Sequence, residues 1–178
     1  MLEGEKSLLI ATRDRIREQG QYKDYECEIE FDDQAPAVAS DLYVVVTTGG
    51  WQPGPRHATA KGVNDLVYSV NVTIVRKAGA TPRDRRRNIF FRNLSSLTVE
   101  IDKVYTAIDW NLDLMKLAND LIRTATGSTQ GFIHPLVFSG MDRQPRIVPG
   151  EFFGGTGESV AGLARTITFS SARRMTLK

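Results

Sequence analysis

The side chains best suited to catalysis or metal binding are few here: two histidines, one cysteine, and scattered serines and carboxylates. His57 lies in a stretch rich in glycine and proline, and His134 precedes a proline inside an apolar run. Neither has a cysteine, histidine or carboxylate at a metal-ligand spacing, and no HExxH is present. An apolar run normally serves the core, so His134 reads as structural and His57 as solvated or subunit-facing. Ser139-Gly140, Gly127-Ser128 and Gly157-Glu158-Ser159 are isolated, and none completes a GxSxG nucleophile elbow. Gly154-Gly155-Thr156-Gly157 lacks the lysine that a phosphate-cradling loop requires. The pairs Asp32/Asp33 and Asp109/Asp113 are carboxylates, but adjacency in sequence does not make an acid–base dyad. The expectation is a non-enzymatic chain with no catalytic residue, no metal and no cofactor.

Three other features point outward instead. Arg83, Arg85, Arg86 and Arg87 surround Asp84 in one dense basic cluster. It reads as a solvated helical turn, as a contact with a neighbouring subunit, or as a phosphate contact. Four arginines near the positive end of a helix repel one another, which favours a partner that supplies negative charge. Glu26, Glu28 and Glu30 share one face of a strand, either solvated or forming an intersubunit or lumen-lining acidic row. Trp51 stands in a Gly/Pro loop with Arg56. It either folds back on its own domain or docks on a partner, as interface tryptophans do.

The elements that must position these residues follow from periodicity. Residues 5–19 form an amphipathic helix, with Leu8, Leu9, Ala11, Thr12 and Ile16 on its apolar side and Gly20 after its end. From Tyr25 to Asp32 the period is two, and Leu42 to Thr48 is dense enough in β-branched residues for an interior strand. Residues 49–62 read as a long loop, and Leu66 to Arg76 alternates again, giving a long antiparallel hairpin. Phe90, Leu94, Leu97, Ile101, Val104 and Ile108 step by three and four, predicting a helix after Pro82. Leu114, Leu117, Ala118, Leu121 and Ile122 predict a second helix, closed by Gly127. Phe132 to Phe138 is a short strand interrupted by Pro135, 139–162 is irregular, and Leu163 to Ser170 is a last strand. Strands first and helices after argue for an α+β fold, a mostly antiparallel sheet with helices packed on one face.

The 178 residues fit a single domain spanning 1–178, and 41% hydrophobic composition suffices for one core. With 23 basic and 21 acidic residues the net charge is +2, too balanced for a general nucleic-acid or membrane-surface binder. The single cysteine, Cys27, excludes an intrachain disulfide and fits a reducing compartment. No signal peptide and no run of roughly 20 apolar residues is present, so a soluble protein is expected.

In its order of elements the chain resembles the tail terminator (tail-completion) neck proteins of long-tailed bacteriophages. The resemblance runs through the helix Leu8 to Glu18, the pair LYVVVTT and LVYSVNVTIVR, and the helix start Thr81-Pro-Arg-Asp-Arg-Arg-Arg. It continues through helices at 89–108 and 112–125 and the strand ARTITFSS (Ala164 to Ser171). It covers most of the chain, although 139–162 is longer than a minimal member needs. It implies a virion subunit in a ring, a hexamer in that family, which caps the tail tube and joins it to the head. The partners implied are copies of the chain, the tail tube protein and a head–tail connector or stopper. DNA would pass through the lumen without specific binding, and no membrane is involved. On this likeness 49–62 is a docking loop, Arg83 to Arg87 face a neighbour, and Glu26, Glu28 and Glu30 line the channel. A connector, stopper or tube-like subunit is the near alternative. A small ligand-binding enzyme domain and a nucleic-acid-binding module are the distant ones.

Overall fold

A computed structural model describes residues 2–19, 27–29, 42–54, 63–79, 89–148 and 160–176. The elements are α1 (Glu3–Arg17), β1 (Cys27–Ile29), β2 (Leu42–Pro53), β3 (Val63–Gly79), α2 (Ile89–Ile108), α3 (Leu112–Thr126), β4 (Val137–Met141), β5 (Arg146–Val148) and β6 (Val160–Thr176). The strands form one sheet in the order β1-β2-β3-β6-β4, with β5 also on β6. β1 runs parallel to β2 and every other pairing is antiparallel. The α+β architecture read from the sequence is the one found.

The sheet is organised by the ladder between β3 and β6, which pairs from Val63↔Thr176 to Gly79↔Val160. Alternation along both strands sends Tyr68, Val70, Val72 and Ile74, with Ile167, Phe169 and Ser171, to one buried face. The helices cover that face: Leu8, Leu9, Ile16, Leu97, Ile101, Val104, Ile108, Leu114 and Ile122 join those residues in one core cluster. The predicted stripe of α2 is buried at all four described positions from Leu97 to Ile108, while Thr98 and Val99 face outward. Their weak helix propensity is overridden by the stripe beside them.

α3 has the ends its sequence asks for. The Asn111 side chain accepts from the Leu114 amide at 2.8 Å, and Gly127 closes the helix at φ 67°. Its buried side is Leu114, Met115, Ala118 and Ile122, whereas Leu117, expected inside, is exposed. At the start of α1 the Glu5 carboxylate accepts from the Leu2 amide at 3.2 Å, half of a capping box.

Two expectations need correction. The loop expected from Gly49 begins later, because β2 continues to Pro53. The register shifts between Thr48 and Trp51, so Gly49 and Gly50 form a bulge, with Gly50 at φ 79°. The stretch 139–162, expected to be irregular, includes most of β4, all of β5 and the first residues of β6. Short strands with a bulge between Phe138 and Gly140 blur the alternation that would have marked them.

At Gly49 a Cβ would come 2.7 Å from the Cβ of Ser69 and 3.2 Å from its carbonyl carbon. Ser69 is held in the ladder and cannot retreat, so Gly49→Val is expected to cost about 1–3 kcal/mol. A denaturant melt checks this, and an unchanged midpoint would mean that the bulge yields freely.

Candidate assembly surface

The predicted site residues are distributed unevenly. Trp51 lies in β2 just past the bulge, opposite Tyr68 in register, and is 51% exposed. It does not fold back into the core. Glu28 lies in β1 and pairs with Val45. Glu26, Glu30, Arg56, Arg83, Arg85, Arg86 and Arg87 lie outside the described residues. His134 is tied up structurally: its Nδ1 is 2.7 Å from the Pro135 carbonyl, and its Nε2 lies 3.4 Å from the Ala172 amide. Cys27 is buried, with its thiol directed at the Arg13 carbonyl.

What the sequence reading missed is a group of aromatic and aliphatic side chains at the β4 edge. α2 ends beside this edge, and the Tyr105 and Phe138 rings meet edge to face at 5.7 Å. Beneath both lies the buried Phe169, 6.3 and 6.4 Å from them. Asp109 organises the group: it accepts from the Tyr105 hydroxyl at 2.9 Å and from the Phe138 amide at 2.8 Å. The hydrogen bond to Asp109 raises the Tyr105 pKa, since a carboxylate holds the phenol proton in place. Capping the Phe138 amide also covers part of the strand edge, which is short and bulged as protected edges are.

Trp110 follows at φ 53°, a left-handed conformation that a bulky side chain adopts only at a cost. Its amide is held by the Leu136 carbonyl at 2.9 Å, yet Trp110 is 61% exposed. Leu112, 73% exposed, stands two residues on, and Met141 is exposed at the end of β4. Trp110 follows the Tyr105–Phe138 pair through Asp109, and Leu112 and Met141 are further exposed apolar side chains on the adjoining α3 and β4. Asp113 and Asp142 lie beside them in sequence.

A second surface lies between the C-terminal end of α1 and the outward stripe of α2. It is an open groove of about 460 Å³, lined by Arg15, Gln19, Val99, Asp102, Lys103 and Thr106, with Ala107 at its floor. The same end of α1 runs beside β1, where the Arg17 Nε donates to the Cys27 carbonyl at 3.0 Å. The α1 wall of the groove therefore lies on the β1 side of the helical layer, while Thr106 and Ala107 adjoin Tyr105 in α2.

The uncovered stretch of the sheet has a third character. Ser69, Asn71 and Thr73 of β3 lie beside Thr166, Thr168 and Ser170 of β6, all half-buried on the face turned from the helices. The Thr73 and Thr166 hydroxyls are 2.9 Å apart, and Thr168 donates to Asn71 at 2.9 Å. Small polar groups satisfy one another along this stretch, and the exposed Arg146 guanidinium donates to the Thr166 hydroxyl at 3.2 Å. Toward its end Arg174 pairs with Asp65 at 3.0 Å.

Beneath the helices, Tyr68 is buried against Phe132, at 5.6 Å and 79°, with the Gly4 backbone over its ring. Burial raises the Tyr68 pKa, and the Arg173 guanidinium that hydrogen-bonds it offsets part of that rise. Arg173 also donates to the Gln130 carbonyl at 3.2 Å, and Glu5 bonds Thr48. This is a buried polar clamp joining α1 to β2, β3 and β6. Among the described residues no three of His, Cys, Asp and Glu converge as a metal site needs. None of the described helices is long and apolar enough to cross a membrane. Neither a family model nor a curated protein sequence matches the chain.

Proposed function

We propose that this chain is a structural virion subunit that assembles with its own copies into a ring at the head–tail junction of a long-tailed phage. In that role it caps the tail tube, joins it to the head and leaves a passage for DNA. The observation that carries the assembly part of the reading is the solvent-facing set of Tyr105, Trp110, Leu112, Phe138 and Met141. Aromatic anchors of this kind are enriched at protein contacts.

The finer identity rests on the likeness in element order. The polar row from Ser69 to Thr73 and Thr166 to Ser170 is wettable and has Arg146 on its Thr166 hydroxyl, a surface of the kind a hydrated passage would use. The exposure of Trp51, near the end of β2 in the β2–β3 hairpin, supports a contact there with the tube protein. A connector or stopper would use the same kind of surfaces and differ in the neighbour it meets.

Sedimentation equilibrium tests the assembly. The expected result is a discrete multimer of the 19.8 kDa chain, formed alone or on adding the tube protein. A chain that stays monomeric at high concentration and in the presence of tube protein would contradict it.

A further inference from the structure

We propose that the turn between α2 and α3 is a built-in guard for the sheet: Asp109 and Trp110 occupy the outer edge of β4 and keep another strand from adding there. The proposal goes beyond the ring reading and holds for a ring or a lone chain alike. β4 ends the strand path β1-β2-β3-β6-β4, and no strand lies beyond it among the described residues. A terminal strand of this kind presents unpaired amides and carbonyls on which another chain can template. Phe138 and Met141 would add exposed apolar side chains to such a contact.

Along a strand the backbone groups of residues i and i+2 point to the same side. The Leu136 carbonyl and the Phe138 amide are such a pair. Phe138 gives its one amide proton to Asp109 rather than to β6, so the pair faces outward. Both groups are occupied: the Trp110 amide donates to the Leu136 carbonyl at 2.9 Å, and the Phe138 amide donates to the Asp109 carboxylate at 2.8 Å. One donor and one acceptor from adjacent residues thus stand where the amide and carbonyl of an incoming strand would. The turn is pinned on its helix side as well. Asp109 accepts from the Tyr105 hydroxyl at 2.9 Å. The Asn111 amide donates to the Ile108 carbonyl at 3.2 Å, and its side chain donates to the Ala107 carbonyl at 2.9 Å. The left-handed φ of 53° at Trp110 is a cost the chain carries inside this bridge. Just past Phe138 the bulge before Gly140 interrupts the edge a second time.

Amide hydrogen exchange reads the guard directly. In the parent chain the Phe138 amide should exchange about 10- to 100-fold more slowly than in Asp109→Ala, the protection that one charge-assisted bond confers. Asp109→Ala should also gain a concentration-dependent association, seen as thioflavin T fluorescence several-fold above the parent. Asp109→Asn keeps an oxygen for the Phe138 amide and should stay at the parental level. Gly49→Val perturbs β2, which β3 and β6 separate from β4, so it controls for lost stability and should stay there too. A folded Asp109→Ala protein with parental fluorescence would overturn the guard, as would equal fluorescence in Gly49→Val. Should Asp109→Ala fail to fold, the other two proteins decide. A parental Phe138 amide that exchanges as in an unfolded chain overturns the guard, and a protected one with a quiet Asp109→Asn supports it.

Discussion

Replacing Tyr68 with alanine is expected to lower the unfolding free energy by about 3–5 kcal/mol, the range for emptying a large aromatic site in a core. Tyr68 is 1% exposed, and three elements depend on it. Phe132 meets its ring edge on, the Gly4 backbone lies over it, and Arg173 bonds its hydroxyl. Removing the ring would open a cavity and leave a buried guanidinium with one partner fewer. Tyr68→Phe keeps the ring and should cost only about 1 kcal/mol. The pair of variants thus separates packing from the polar clamp.

The same residue predicts a pH dependence. Its pKa in the fold is raised above the ordinary 10.0, chiefly by burial, so the folded state retains the phenol proton more tightly than the unfolded chain. Stability from this group is fully present below pH 10 and is lost as pH rises through the folded value. Tyr68→Phe should therefore flatten part of the alkaline fall in stability. A fall of identical steepness in the variant would show that Tyr68 does not titrate with unfolding.

Phe169→Ala should have a similar cost, about 3–5 kcal/mol, because the residue is wholly buried at the centre of β6. It differs from Tyr68 in what it supports. Tyr105 and Phe138 rest on it, so their rings lose their base and the β4 edge loosens. Self-association should weaken along with stability in Phe169→Ala. Chemical denaturation and sedimentation of the variant check this. Unaltered association in a folded Phe169→Ala protein would detach the aromatic cluster from assembly.

Much of the fold was legible because local signals and burial agree. The three-and-four stripe from Leu97 to Ile108 and the Gly127 stop sit where the pattern places them. The C-terminal strand is longer than alternation suggested. Ser171 and Arg173 are polar yet buried, held by the His134 and Gln130 carbonyls, and no sequence period marks a polar residue as inward-facing. Parallel pairing of β1 with β2 depends on contacts distant in sequence and left no local trace.

The candidate surface was less legible than the fold. Trp51 was singled out as a loop tryptophan, and it is indeed exposed. Nothing in the sequence pattern singles out Trp110, and Leu112 reads there as the first residue of the second helix. Their exposure follows from Asp109 holding the turn against β4, through hydrogen bonds to residues 4 and 29 positions away. The signal that could have found them is the Asp109-Trp110-Asn111 junction between two helical patterns, since a helix end commonly turns through one left-handed residue.

Assembly itself is the point on which the account turns, and electron microscopy of the purified protein, alone and with tail tube protein, reaches it directly. The predicted image is a population of closed rings of uniform diameter with an open centre, seated at one end of each tube. Dispersed single chains in both samples, with tubes of unlimited length and bare ends, would contradict it.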